Sequence, residues 1–190
     1  MNRRGFLRAG LAWAALGATG VAALLRTSGY DRADRRVAYM RALSAWHLAV
    51  VDALADRMCA ADVDYDAPGA PPRPREVEVA AFVDAFVADS EPPIRRDLLA
   101  AIGALEHAFP ALAGQVQRFT ALSPARQDAV LAAMEGSSID LVRGAFHGLK
   151  SLVMMGYYRD PRTWGVLAYD GPLVNRPAGG WVPLRYKGAS

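Results

Sequence analysis

Three histidines, one cysteine and one short run of aspartates are the residues whose types could support chemistry. His47, His107 and His147 are scattered along the chain, and no pair has the i, i+4 spacing that sets two ligands on one helix face. Asp62, Asp64 and Asp66 alternate as in a calcium loop, but the glycine and the closing bidentate glutamate of an EF-hand are missing from their positions. Cys59 is the single cysteine, which excludes an internal disulfide, a CxxCH haem attachment and a cysteine-held iron–sulfur cluster. In an oxidising compartment a lone cysteine is either buried or paired to another chain, and burial is the expectation here. Glu106 and His107 are neighbours in sequence, yet adjacent helical residues point to different faces and make a poor acid/base pair. Ser137 and Ser138 have no base nearby, and no GxGxxG, GxSxG or phosphate loop occurs. The expectation is a chain with no catalytic, cofactor-binding or metal site of its own.

The elements that would position these residues are helical throughout. Met40, Leu43, His47, Val50, Leu54 and Met58 recur at spacings of three and four and predict one amphipathic helix from Asp31 to about Ala61. His47 lies on its apolar stripe, where a hydrogen-bonded core histidine is the expected role. Pro and Gly mark the segment from Ala61 to Arg73 as a loop. A second helix is predicted from Pro74 to Asp89 on the face Val79, Phe82, Val83, Phe86 and Val87, with the proline in its first turn. The third enters through Pro92 and Pro93, carries Ile94, Leu98, Ile102, Leu105 and Phe109, and stops at Pro110. Ser123-Pro124 opens the fourth, which ends at Gly136. The fifth carries Ile139, Val142, Phe146, Leu149 and Val153, with Ser138 as cap and Gly156 as stop. Gly144 and Gly148 leave a strip without side chains on that helix and predict close backbone approach by a neighbouring helix or the C-terminal segment, since each costs about 1 kcal/mol of helix propensity relative to Ala.

No alternating run predicts a strand. The fold class expected is all-α, about five helices in a bundle, with residues 1–29 as a signal or anchor, 30–156 as the helical domain and 157–190 as a long irregular arm.

Charge is distributed unevenly. Four of the 22 basic side chains, Arg3, Arg4, Arg8 and Arg26, fall in the first 29 residues, which hold no acid, so the remaining 18 face all 19 acids. A near-neutral body lacks the clustered excess of Lys and Arg that phosphate binding needs, so no nucleic-acid partner is expected. Arg3-Arg4-Gly5-Phe6-Leu7-Arg8 resembles the bacterial twin-arginine export signal, with Arg3, Arg4, Phe6 and Leu7 as its carrying residues. Ala9 to Leu25 follows as an uncharged, Ala- and Gly-rich h-region. Seventeen residues also reach the lower limit for a membrane span, so an uncleaved anchor with membrane contact stays open. The expected location is the periplasm. The twin-arginine translocase carries folded proteins, and a partner exported alongside would explain why so small a chain uses it.

Tyr157, Tyr158, Trp164, Tyr169, Trp181 and Tyr186 are six of the chain's 17 aromatic residues, gathered into an irregular segment. Such density needs a surface to cover, either the chain's own helices or another protein, because Tyr and Trp join large apolar area to a polar tip.

Taken together, the twin-arginine start, the stretch from Leu54-Ala55-Asp56 to the acidic loop, the segment Ala121 to Asp128, and above all Gly156-Tyr157-Tyr158-Arg159-Asp160-Pro161 with Trp164 and Tyr169-Asp170-Gly171-Pro172 resemble the gluconate 2-dehydrogenase subunit 3 family. The resemblance implies a non-catalytic small subunit that binds, matures and escorts a large FAD-dependent dehydrogenase of the glucose–methanol–choline type. FAD would sit in that partner. A cytochrome c carrying haem often completes such complexes. It assigns partner contact to Tyr157, Tyr158, Arg159, Asp160, Trp164 and Tyr169, while Arg159 and Asp160 could equally pin the turn internally. The other reading of the residues is a stand-alone periplasmic helical protein, a binding module or a small enzyme using His147 or His47.

Overall fold

The computed structural model describes Tyr30, residues 34–59, 63–169 and Gly171. Five α-helices follow one another: α1 (Ala45–Met58), α2 (Val79–Asp89), α3 (Pro92–His107), α4 (Pro124–Glu135) and α5 (Asp140–Tyr158). Short 3-10 turns occupy Arg35–Tyr39, Phe109–Ala113, Phe119–Ala121 and Pro161–Leu167. The fold is all-α, with no strand among the described residues. α5 packs on all four other helices, and α1 lies across α2, α3 and α5. The shared core is aliphatic, with Val50, Leu54, Val83, Leu105, Met134 and Val153 essentially inaccessible to solvent. Each such side chain contributes about 1.5–3 kcal/mol by leaving water.

The first predicted helix is divided. Asp34 accepts a hydrogen bond from the backbone N–H of Arg36 and caps the turn Arg35–Tyr39, and α1 begins only at Ala45. The break between them is held from far away in sequence. Asp84 on α2, itself buried, accepts from three successive backbone N–H groups, Arg41, Ala42 and Leu43, at 2.8–2.9 Å. Those donors would otherwise bond within a helix, so the carboxylate replaces one turn of helix with a bend. Ser44 and His47 then form a reciprocal cap, in which His47 Nδ1 accepts from the Ser44 backbone N–H at 3.1 Å.

The second helix starts later than its proline suggested. Glu78 has φ of +55°, a left-handed backbone that separates the turn at Pro74 from α2. The helix is also rotated: Val79, Ala80, Val83, Asp84 and Val87 are buried, while Phe86 faces solvent. α3 and α4 match their predicted bounds closely, because proline at the first turn, Pro110 after α3 and Gly136 at the end of α4 are local signals.

Gly156 does not stop the last helix. It lies inside α5, which runs on to Tyr158, and a Cβ there would sit 3.0 Å from Phe82 Cδ1 and 3.2 Å from Val79 Cγ1. The close approach of α2 and α5 therefore occurs at Gly156. Gly144 and Gly148, where that approach was expected, face open space: among the described residues nothing lies within 4 Å of a Cβ built at either. The cap also differs, since the helix starts from Ile139, whose N–H donates to Ser137 Oγ at 3.2 Å rather than to Ser138.

Candidate partner-binding surface

The end of α5 and the turn beyond it form one internally bonded unit. Tyr157 is fully buried and donates its hydroxyl hydrogen bond to the Pro72 carbonyl at 3.0 Å, tying α5 to the loop before α2. Burial pushes its phenol above the ordinary tyrosine range. Tyr158 meets the Tyr157 ring edge-on at 5.0 Å and is half-buried. Arg159 is exposed and places its guanidinium 5.4 Å from the centre of the Phe82 ring.

Asp160 ends the helix and starts the turn. Its carboxylate accepts from Arg162 three times, from the backbone N–H at 2.9 Å and from the guanidinium at 3.0 and 2.7 Å. The Arg162 hydrogen bonds hold the carboxyl well below its usual range, at about 2. Thr163, buried in a segment of exposed neighbours, donates to the Asp160 carbonyl at 2.8 Å. Trp164 donates its indole N–H to the Tyr158 carbonyl at 2.8 Å and meets Tyr169 edge-on at 5.1 Å. Gly171 closes the unit: its φ is +103°, and a Cβ would lie 3.1 Å from the Trp164 ring, so both conformation and space demand glycine.

Beside the exposed Arg159 and Arg162, this scaffold presents apolar side chains outward. Val166, Leu167 and Tyr169 are 37%, 56% and 45% exposed, on a turn whose polar groups are already paired. Of the six residues with which the sequence suggests partner contact, Arg159 and Tyr169 reach the surface, Tyr158, Asp160 and Trp164 are half-covered, and Tyr157 faces inward. Val166 and Leu167 were not singled out in sequence, and only their place in a turn opened by Asp160-Pro161 hinted at exposure. A shallow hollow of about 350 Å³ on α2 is lined by Phe82, the ring that Arg159 covers, with Ala85, Phe86, Asp89 and Ser90.

Two of the residues capable of chemistry share a neighbour, since His47 and His107 both lie against Trp46. His47 is half-buried, stacks on Trp46 at 3.7 Å, and is driven down to about 4 by burial. Its hydrogen bonds run to Ser44 at the start of α1, so it serves as a half-buried helix cap and not as the core histidine that its position on the apolar stripe predicts. His107 is 5.8 Å from Trp46, and His147 faces solvent on α5 beside Phe146. Cys59 is buried against the Val153 carbonyl, and burial pushes its thiol up to about 12. Asp66 pairs with Arg73 and Asp64 accepts from the Asp66 N–H, while Asp62 lies outside the described residues. Among the described residues no three His, Cys, Asp or Glu side chains could hold a metal ion.

A polar cluster that sequence reasoning missed surrounds Glu106. This carboxylate is completely buried, accepts from the Tyr30 hydroxyl, and takes both the backbone N–H and the hydroxyl of Thr120 at 3.0 and 2.6 Å. Arg118 lies 3.7 Å away and covers the Tyr30 ring at 4.3 Å. Glu106 and His107 thus do face different surroundings.

Arg3, Arg4, Phe6 and Leu7 lie outside the described residues, as do Trp181 and Tyr186. No helix among the described residues is long and apolar enough to cross a membrane. Comparison with curated proteins and with solved structures yields no match. The family model for gluconate 2-dehydrogenase subunit 3 matches residues 45–179, from the first residue of α1 through the aromatic turn. The chain belongs to the gluconate 2-dehydrogenase subunit 3 family.

Proposed function

We propose that this chain is the non-catalytic subunit of an exported complex, binding and escorting an FAD-dependent glucose–methanol–choline type dehydrogenase through the twin-arginine pathway to the periplasm. One observation carries the reading: the exposed apolar side chains Val166, Leu167 and Tyr169 sit on and beside a turn whose Asp160, Arg162 and Trp164 side chains are hydrogen-bonded internally. A preorganised apolar surface of this kind loses little conformational freedom on binding, which favours association. Family membership supports the dehydrogenase as partner, and Arg3, Arg4, Phe6 and Leu7 support the route. FAD belongs to the partner in this reading, with a cytochrome c as the electron-accepting third subunit.

The test is an affinity pull-down of the tagged protein from its own host, with the eluate read by mass spectrometry and flavin absorbance. The native chain brings down a flavoprotein from the periplasm. Arg3→Lys with Arg4→Lys leaves both proteins in the cytoplasm, and Leu167→Asp releases the flavoprotein while the subunit's own unfolding midpoint stays put. A colourless monomer from the native host overturns the reading.

A further inference from the structure

We propose that the hollow on α2 receives an apolar side chain of the dehydrogenase subunit, and that Arg159 at its rim pairs with a carboxylate within about four residues of that side chain on the same segment. The inference rests on the reading above and gives the chemistry of the partner's side of the contact.

The hollow exists because α2 turns its aliphatic residues inward. Val79, Val83 and Val87 are buried in the core, which leaves Phe82 half-buried and Phe86 42% exposed on an eleven-residue helix. The two rings stand 6.3 Å apart, centre to centre. Their surroundings are fixed from several sides. Phe82 is wedged against α5 at Gly156, where a Cβ would meet its ring at 3.0 Å. Ser90 donates its hydroxyl to the Phe86 carbonyl at 2.7 Å. Arg95 of α3 donates to the Val87 and Ser90 carbonyls at 3.2 Å each, holding the C-terminal end of α2 in place. A hollow with set walls takes an apolar anchor without first having to order itself.

Charge and continuity select the occupant. Arg159 is exposed, and its guanidinium stands 5.4 Å from the centre of the Phe82 ring. The adjacent Asp160 carboxylate is committed to Arg162, and among the described residues no carboxylate forms an ion pair with Arg159. At the other end of the hollow Asp89 is already matched by Arg41. The surface therefore fits apolar mass over the two rings and negative charge at the Arg159 rim alone. Arg162 also reaches the Glu76 carbonyl at 3.4 Å, so the turn that carries Val166 and Leu167 borders α2 at the Phe82 end. Hollow and turn both lie inside residues 45–179, matched by a family model whose members are subunits of a dehydrogenase.

The experiment uses the full chain, tagged in its own host, with the photoreactive substitution Phe86→p-benzoylphenylalanine. Irradiation is expected to join position 86 to an apolar residue of the dehydrogenase, with Asp or Glu within about four positions of it, as read by mass spectrometry of the cross-linked peptide. A cross-link to a second copy of this chain, to residues 172–190 of the same chain, or to a dehydrogenase peptide without an acid overturns the proposal. In the purified complex, Phe86→Asp is expected to weaken binding about thirtyfold. Arg159→Gln is expected to weaken it about fivefold at low salt and to flatten its salt dependence. Leu112→Asp, on an exposed turn between α3 and α4, leaves binding unchanged. Unaltered thermal midpoints of the free variants separate lost docking from lost folding. If Leu167→Asp releases the flavoprotein while Phe86→Asp and Arg159→Gln retain it, this proposal fails and the docking turn stands. If the native chain yields neither flavoprotein nor cross-link, both readings fall.

Discussion

Replacing Glu106 by Gln keeps the shape of a fully buried side chain and removes only its charge and one acceptor. In the native protein its two oxygens receive three hydrogens, from Tyr30, from the Thr120 hydroxyl at 2.6 Å and from the Thr120 backbone N–H at 3.0 Å. A glutamine offers one oxygen and one NH₂. If the oxygen keeps Tyr30 and the hydroxyl, the NH₂ confronts the Thr120 N–H, donor against donor. If the amide flips, the hydroxyls can rotate but lose a charged acceptor. The first outcome leaves a buried donor unpaired, about 1–3 kcal/mol, and each hydrogen bond to a charged group is worth about 1.5–3 kcal/mol. Arg118 loses its counter-charge too, but it is partly exposed, so that loss is discounted well below the 3–5 kcal/mol of a fully buried pair. The expected destabilisation is about 3 kcal/mol. In urea, with a slope of about 2 kcal/mol/M, the midpoint falls by about 1.5 M. Asp140→Asn, at an exposed ion pair, changes stability by less than about 0.5 kcal/mol and serves as control. A double-mutant cycle with Thr120→Val should show coupling of about 1 kcal/mol or more. A Glu106→Gln loss under about 1 kcal/mol, or equal to the control, refutes the buried cluster as an anchor.

Other outcomes follow from the same coordinates. His47 titrates near 4 when folded and near 6.5 when unfolded, so between those values the unfolded chain binds the extra proton. Stability should therefore fall as pH drops from about 6.5 towards 4, and His47→Gln should flatten that part of a chemical-denaturation pH series. Cys59 should resist thiol reagents in native buffer at pH 8 and react fully in denaturant, since its thiol is buried and held up to about 12. Gly156→Ala should lower stability by about 1 kcal/mol in thermal unfolding, because crowding against Phe82 and Val79 outweighs the gain in helix propensity.

Helix boundaries were legible in the sequence where the signal is local. Pro92 and Ser123-Pro124 act through their own dihedrals and carbonyls, so α3 and α4 begin where they say. The break before α1 was not legible, because Asp84 makes it from more than forty positions away. An acid inside Val79–Asp89, otherwise almost wholly apolar, was the available sign. Gly156 was open to misreading for a similar reason: a glycine near a helix end looks like a stop, and only the packing of α2 shows it to be a contact. Tyr157 and Tyr169 are indistinguishable as letters, yet one is committed to Pro72 and the other faces outward, a difference that tertiary burial alone creates.

Tyr30 gives the molecule a mechanical property. Tension that reaches Tyr30 from its N-terminal side loads this ring before the turn Arg35–Tyr39. To unravel the body, a pull must first draw the hydroxyl off Glu106 and slide the ring from beneath Arg118. It next meets a second peg, where Asp34 and Asp52 both grip the Arg36 guanidinium. Two pegs in series, one on Glu106 of α3 and one on Asp52 of α1, stand between such a pull and the helices.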